Sequence, residues 1–444
     1  MHMRLAALAA WVVACALAWP VHASERPTPE KGRLDDQSPG TLTLDDAFAR
    51  VASHRNKTHP ELRLFDTRRD LLQAERDRAL QRPAFVAGAT LENALGSGDS
   101  AGLGGAELTL SLASVLERGG KLDARRTLAQ SRIDALAVER ETTRLDLLAE
   151  VARRHLAAVA AEHQRRIAEQ DITQRRRTVA AARQRLQAGA SPESVVFTAQ
   201  AALARAELER DRAVQRGIGA RQHLAALWGE RDPRFVVSGG DPLSLPTIEP
   251  ASALATMLDG TPELVQFIDE QRIREARLQL ARSEATPDLD WQVGVRRLQT
   301  DGDIGLVGGV SMALGTRGRA EPSIRAAEAE LASLEIEREA RGMSLYSTLA
   351  DARGRYALAQ VEVRRLRDEV LPKLAQAESA AERAYRAGAI SYLEWAQLQS
   401  ERTQARRQQL DAALEAQRAL IELQRLTGQT LVVAPNANAQ GISP

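Results

Sequence analysis

Aromatic residues are scarce in this chain, which has only 6 Phe, 5 Trp and 4 Tyr among 444 residues. Large packed sheets draw heavily on such side chains, so a wide layered core is not expected. Cysteine is scarcer still. Cys15 is the only one, which excludes a disulfide framework and a thiolate metal site. A surplus of one charge is also missing, since 60 basic residues meet 59 acidic ones. A nucleic-acid binder would need a basic face, so that class is set aside. The apolar run from Leu5 to Trp19 is too short and too poorly flanked for a stable transmembrane helix. With Arg4 before it and "VHA" closing at Ala23, residues 1–23 read as an export signal. A rival reading takes "VVAC" as a lipoprotein box that leaves Cys15 lipidated.

What remains is rich in Ala, Leu, Arg, Gln and Glu, with 27% charged residues, the composition of long helices and coiled coils. The chain also repeats itself. Arg118-Gly119 returns as Arg317-Gly318, Ala188-Gly189-Ala190 as Ala387-Gly388-Ala389, and Gly229 as Gly428, each 199 residues on. "HPEL" (59–62) returns as "TPEL" (261–264). A shared offset over such distances marks a tandem duplication, which takes precedence over any local reading. The first repeat spans 41–230, with strands at about 84–113, a long helix at 121–187 and a glycine turn at 189. The second spans 251–430, with strands at about 288–314, a long helix at 320–386 and a turn at 388. A Pro- and Gly-rich linker (231–250) joins them. Residues 24–40 and the tail 431–444 have little to bury and are expected to be disordered.

The strand segments alternate. Phe85 and Leu91 share a face in the first repeat, and Leu289, Trp291 and Val293 share one in the second. Runs of about ten residues with this pattern suit strands that cross a bilayer with apolar side chains outward. A half-buried strand in a soluble sheet gives the same pattern. Four strands cannot close a transmembrane barrel, and open edges are not tolerated in lipid. Three chains would supply twelve.

The helices are rods. Lys121 to Gln187 has neither proline nor internal glycine and would extend roughly 100 Å. In the second repeat Leu345, Leu349, Ala352, Tyr356, Ala359, Val363, Leu366 and Val370 form a heptad seam for a left-handed coiled coil. Gly189 and Gly388 stand where helical hairpins reverse, a position that favours φ > 0. Pro372 withdraws a donor from the second rod, 16 residues before Gly388, and marks a hinge there. No phosphate loop, nucleophile elbow or zinc motif appears. The histidines at 155 and 163 read as solvent-facing residues on a rod rather than metal ligands. Neither enzymatic activity nor a cofactor is expected.

Together, "LTLDDA", "HPEL", "ERGGKLDARR", the two Ala-Gly-Ala turns and above all "YRAGAISYLEWAQLQSER" resemble the TolC-type outer-membrane efflux factors, in the CzcC/CusC-like branch. The similarity covers roughly residues 41–430. It implies a mainly α fold with a small β part: a long antiparallel coiled-coil tunnel plus four transmembrane strands per chain, closed into a twelve-stranded barrel by a homotrimer. It further implies a passive duct for heavy-metal cations or drugs. A periplasmic adaptor (membrane fusion protein) would dock on the tips Ala188, Gly189, Ala190, Ala387, Gly388 and Ala389. An inner-membrane pump, of RND type, would drive export. Tyr385 falls where the family has a tyrosine that holds the closed state. Glu394 falls on the first carboxylate of the aperture, whereas Gln397 replaces the second and weakens a cation-selective ring. The competing reading is a periplasmic coiled-coil scaffold or adaptor without channel activity.

Overall fold

The computed structural model describes residues 40–53, 59–98, 101–248 and 250–431. The export signal, Cys15, all of 24–40 except Gly40, and all of the tail except Leu431 lie outside the described residues; Leu431 itself is buried.

Nine helices and six strands are seen among the described residues. The first repeat contains α1 (Leu44–Ser53), α2 (Pro60–Ala79), α3 (Lys121–Gln187) and α4 (Glu193–Ala225). The second contains α5 (Leu254–Asp259), α6 (Pro262–Glu284), α7 (Thr316–Arg365), α8 (Leu371–Arg386) and α9 (Tyr392–Thr427). Prolines open α2 and α6 at the first turn, where the missing N–H would have had no partner. The 67 residues of α3 span roughly 100 Å. Flanking it, α2 lies beside the half nearer the strands, through Arg68–Glu139 (2.8 Å) and Arg125 Nε donating to the Ala79 carbonyl (3.1 Å). Beside the other half lies α4, where Arg216 reaches Gln164 at 3.1 Å.

The second rod is not the continuous 320–386 helix that the sequence suggests. It begins at Thr316 and is interrupted by a π turn over Leu366–Val370, where the Leu371 N–H donates to the Leu366 carbonyl. Pro372 follows directly. A widened turn relieves the crowding that its ring would impose on the Asp368 carbonyl. The seam is buried from Leu345 to Leu366, but Val370 is 39% exposed and has left it.

Four strands form one antiparallel sheet: β2 (Val86–Glu92), β3 (Glu107–Leu116), β5 (Leu289–Leu298) and β6 (Ile304–Met312), in the order β2-β3-β5-β6. The repeats therefore meet at β3–β5, while β2 and β6 are open edges. At the helix end of the sheet, Asp288 accepts from the Arg118 backbone N–H (3.1 Å) and pairs with Lys121 (2.7 Å). This carboxylate fastens the start of β5 to the start of α3. The chain enters α3 through Gly119 and Gly120, both with positive φ, and a Cβ on Gly119 would strike Thr286.

The linker is a strap rather than a loose connection. Its β4 (Val236–Val237) pairs in parallel with β1 (Thr41–Leu42). Further along, the Tyr356 hydroxyl donates to the Pro246 carbonyl, and Leu243 and Leu245 pack on the helices beneath. Under the β1–β4 pair sits His155, only 1% exposed. The expectation of a solvent-facing histidine is wrong, because the strap covers that face of α3. The ring lies against the Leu42 and Ser238 backbones, yet neither nitrogen makes a well-formed hydrogen bond. Burial holds its pKa below the usual imidazole value. His163, two turns on, is half-buried and contacts Arg166, and desolvation lowers its pKa to about 4. Among the described residues no cluster of His, Cys, Asp or Glu could hold a metal ion, and no helix is long and apolar enough to cross a membrane.

Candidate functional site

Two parts of the molecule concentrate the sequence-derived candidates: the paired helical tips and one face of the sheet.

Each tip is a Schellman turn. The Gly189 N–H donates to the Leu186 carbonyl (2.9 Å) and the Ala190 N–H to Arg185 (2.8 Å). Gly388 and Ala389 repeat this on Tyr385 (3.0 Å) and Ala384 (2.9 Å). Both glycines are left-handed, with φ of 67° and 80°, a conformation any Cβ would strain. The tips lie side by side. Arg185 Nη1 donates to the Tyr385 carbonyl at 2.6 Å and Nη2 to the Ala190 carbonyl at 3.2 Å. One guanidinium therefore bridges carbonyls of both hairpins.

Beneath the tips, Val179, Ala182, Val196, Ala199, Ala381, Tyr385, Tyr392 and Trp395 form a shared core. Tyr385 is 2% exposed and its ring centroid lies 5.1 Å from that of Trp395. Its hydroxyl has no partner, so within one protomer it acts as an apolar plug. Glu394 closes a capping box at the start of α9. Its carboxylate accepts from the Ser391 N–H (2.8 Å) and hydroxyl (3.0 Å), and its own N–H donates back to Ser391 (3.3 Å). These bonds from Ser391 hold the Glu394 pKa below the ordinary value. Gln397 is exposed and donates to Glu401 (3.0 Å). Higher up the hairpins, buried polar groups cross between repeats. Gln399 and Thr178 exchange hydrogen bonds, Arg175 donates to Ser400 (3.0 Å), and Glu378 accepts from Gln174 across the repeats and from Arg402 within its own.

The π turn determines which side chains reach this core. Continued without interruption, the 4-3 spacing after Leu366 would bury positions 370, 373, 377, 380 and 384. Instead the inward positions of α8 are Leu371, Leu374, Glu378, Ala381 and Tyr385, each one residue later. A π turn adds one residue to the helix, and that residue brings Tyr385 inward. This shift escaped the sequence reading, although Pro372 pointed to its location.

The register of the sheet separates two faces. Phe85, Ala87, Ala89 and Leu91 align with Leu108, Leu110 and Leu112, then with Leu289, Trp291, Val293 and Val295, and finally with Ile304, Leu306, Val310 and Met312. This apolar face has no cover; Leu306 is 91% exposed and Phe85 68%. Phe85 and Trp291 meet edge to face at 6.1 Å near the helix end. On the opposite face Arg296 binds Glu92, Glu107 and Thr109 at 3.0–3.1 Å, alongside Ser111, Gln292 and Asp290. A soluble domain rarely leaves so large an apolar patch bare.

A duplicated pair of helical hairpins joined to a sheet that is apolar on one face and polar on the other belongs to a recognised family. The profile described as "Outer membrane efflux protein" matches residues 42–230 and 254–429, one segment per repeat. This chain belongs to the outer membrane efflux protein family. The cobalt-zinc-cadmium resistance protein CzcC of Cupriavidus metallidurans is 26% identical over 71% of this chain and 75% of its own length. The nickel-cobalt-cadmium resistance protein NccC of Alcaligenes xylosoxydans is 25% identical over 62% of this chain and 64% of its own. Among solved structures, CusC superposes with a TM-score of 0.71 at 16% identity, over 94% of this chain and all of the other. The chain is an outer-membrane efflux channel component of TolC-like fold, with a large periplasmic part. The scaffold reading is set aside.

Proposed function

We propose that three copies of this chain close a twelve-stranded barrel through pairing of β6 in one protomer with β2 in the next. The observation that carries this reading is the pair of open edges on a sheet whose apolar face is bare. Strand direction alternates across β2-β3-β5-β6, so β6 meets a neighbouring β2 antiparallel and an unbroken ring results. Closure removes unpaired backbone groups from lipid. Phe85, Leu91, Leu289, Trp291 and Val293 then face acyl chains, and the Arg296 face lines the bore. The helices continue the duct into the periplasm, where an adaptor docks on Ala188–Ala190 and Ala387–Ala389 and an inner-membrane pump of RND type supplies the energy. Tyr385, Glu394 and Gln397 lie beside the aperture, with Pro372 and its π turn as the hinge above.

Heavy-metal cations are the proposed cargo, by analogy with the two resistance proteins named above. The conduit itself would leave selection to the pump. Planar-bilayer recording of the purified protein should give steady unitary currents, and their absence would refute a channel. Cells lacking the chain should lose tolerance to cobalt, zinc or cadmium. Unchanged metal tolerance with new sensitivity to organic drugs would reassign the cargo.

A further inference from the structure

The apolar sheet face carries a single charged side chain, at one edge. Arg297 occupies the rung Leu91–Leu108–Arg297–Ile304, the last on this face before the strands turn. It is exposed and, among the described residues, makes no hydrogen bond or ion pair. Its chain neighbour Arg296 points to the other face and binds the two carboxylates there, Glu92 and Glu107. Asp301 and Asp303 lie on the turn that follows, and neither pairs with Arg297, whose cross-strand neighbours are leucine and isoleucine. A guanidinium held among apolar side chains needs an anion from elsewhere.

Its place in the membrane narrows the choice. The strand enters from α6 at Leu289, beside the Phe85–Trp291 pair that forms an aromatic anchor at the periplasmic boundary. Arg297 lies eight residues on, roughly 27 Å along a tilted strand, on the last rung of the lipid-facing side and so nearest the outward boundary. The outward rung has no aromatic side chain. Its interfacial group is a cation.

We infer that Arg297 binds a phosphate of the phosphorylated glycolipid that forms the outer leaflet of the outer membrane, while Leu91, Leu108 and Ile304 seat the adjoining acyl chains. The planar guanidinium offers two parallel N–H donors that match a phosphate. Glycerophospholipid occupies the opposite leaflet, on the Phe85–Trp291 side. This inference rests on the reading of the apolar face as lipid-facing.

The test uses the full-length trimer in detergent, with bound lipid counted by native mass spectrometry. The probes are lipid A, phosphate-free lipid A and phosphatidylglycerol. The wild-type protein should retain lipid A about tenfold better than Arg297→Gln, as expected for loss of a charge-assisted contact. Arg297→Lys should fall between, since it keeps the charge without the fork. The difference should vanish with phosphate-free lipid A. Equal retention by Arg297→Gln, indifference to the phosphates, or equal displacement by phosphatidylglycerol would overturn the assignment. A nitroxide at Val293→Cys separates the two layers of the argument. If it reports lipid while Arg297→Gln changes nothing, only the phosphate contact fails; if it reports water, the lipid-facing reading fails as well.

Discussion

Arg185 and Tyr385, 200 residues apart, join the two halves of the duplicated chain at their tips: the guanidinium lies 4.9 Å over the tyrosine ring and donates to its carbonyl. The residue equivalent to Arg185 in the second repeat is Ala384, so the fastening runs one way. Arg185→Ala should loosen the second tip on the first. Hydrogen exchange at Gly388 and Ala389 should rise while trimer yield stays unchanged, and unaltered exchange there would show that the contact carries no load.

Tyr385 gives a sharper test, because its hydroxyl is buried without a partner. Removing a buried, unsatisfied polar atom is neutral to stabilising. Tyr385→Phe should therefore keep or raise thermal stability and leave resting conductance unchanged, whereas Tyr385→Ala should cost about 3 kcal/mol by opening a cavity against Trp395. A clear rise in conductance from Tyr385→Phe would mean that the hydroxyl binds across protomers.

The π turn before Pro372 answers two constraints, the proline ring and the phase of the seam. Replacing the proline removes only the first. Pro372→Ala should therefore keep the turn, since an unbroken α-helix would rotate Tyr385 out of the core. Deleting Val370 as well should restore 4-3 spacing down to Tyr385 and yield a straight rod. A structure of each variant decides: a straight rod in Pro372→Ala alone would show that proline is the sole cause.

Acid should weaken two places. Bonds from Ser391 lower the pKa of Glu394, so the cap is intact above the ordinary carboxylate value and is lost as pH falls through the depressed one. Glu394→Gln should show a similar loss already at neutral pH, and Ser391→Ala should cost about 1 kcal/mol of helix stability. His155 is held neutral by burial. The unfolded imidazole takes up a proton below about 6.5, so stability at the strap falls from that pH downward. Protection of the backbone amides at 236–238, corrected for the intrinsic pH dependence of exchange, should fall below pH 6 in the wild type and change less in His155→Leu. Corrected protection that does not change with pH would remove His155 from the account.

Depth in the sheet makes a graded prediction. Val293 lies mid-strand, whereas Trp291 lies two residues nearer the helix end. Val293→Arg should cost about 2–4 kcal/mol in lipid vesicles and Trp291→Arg less, because the cost of a lipid-facing cation falls toward the interface. The reverse order in a denaturant titration would shift the bilayer along the sheet.

These cases also show what a sequence makes legible here. Gly189 and Gly388 stood out because a left-handed hairpin turn needs their backbone freedom. The alternation around Val293 was visible because a strand has period two. The strap was not, since Phe235, Leu243 and Leu245 lie in a Pro- and Gly-rich stretch without periodicity, and its burial depends on helices of both repeats, from Leu147 to Ala413. His155 was misjudged for that reason. The added residue at Leu366–Val370 was hidden because a heptad count assumes an unbroken α-helix.

The central claim is that three chains close one barrel through β2 and β6. Disulfide crosslinking tests it most directly, in protein with no cysteine other than those introduced. Ala89→Cys on β2 is combined in turn with single cysteines along β6 from 304 to 312, in native outer membranes. Closure requires that a small set of β6 positions, of one register, crosslinks all three chains into a covalent ring that migrates as a trimer and no larger. Absence of crosslinking at every position, or an open ladder extending beyond three chains, would contradict it.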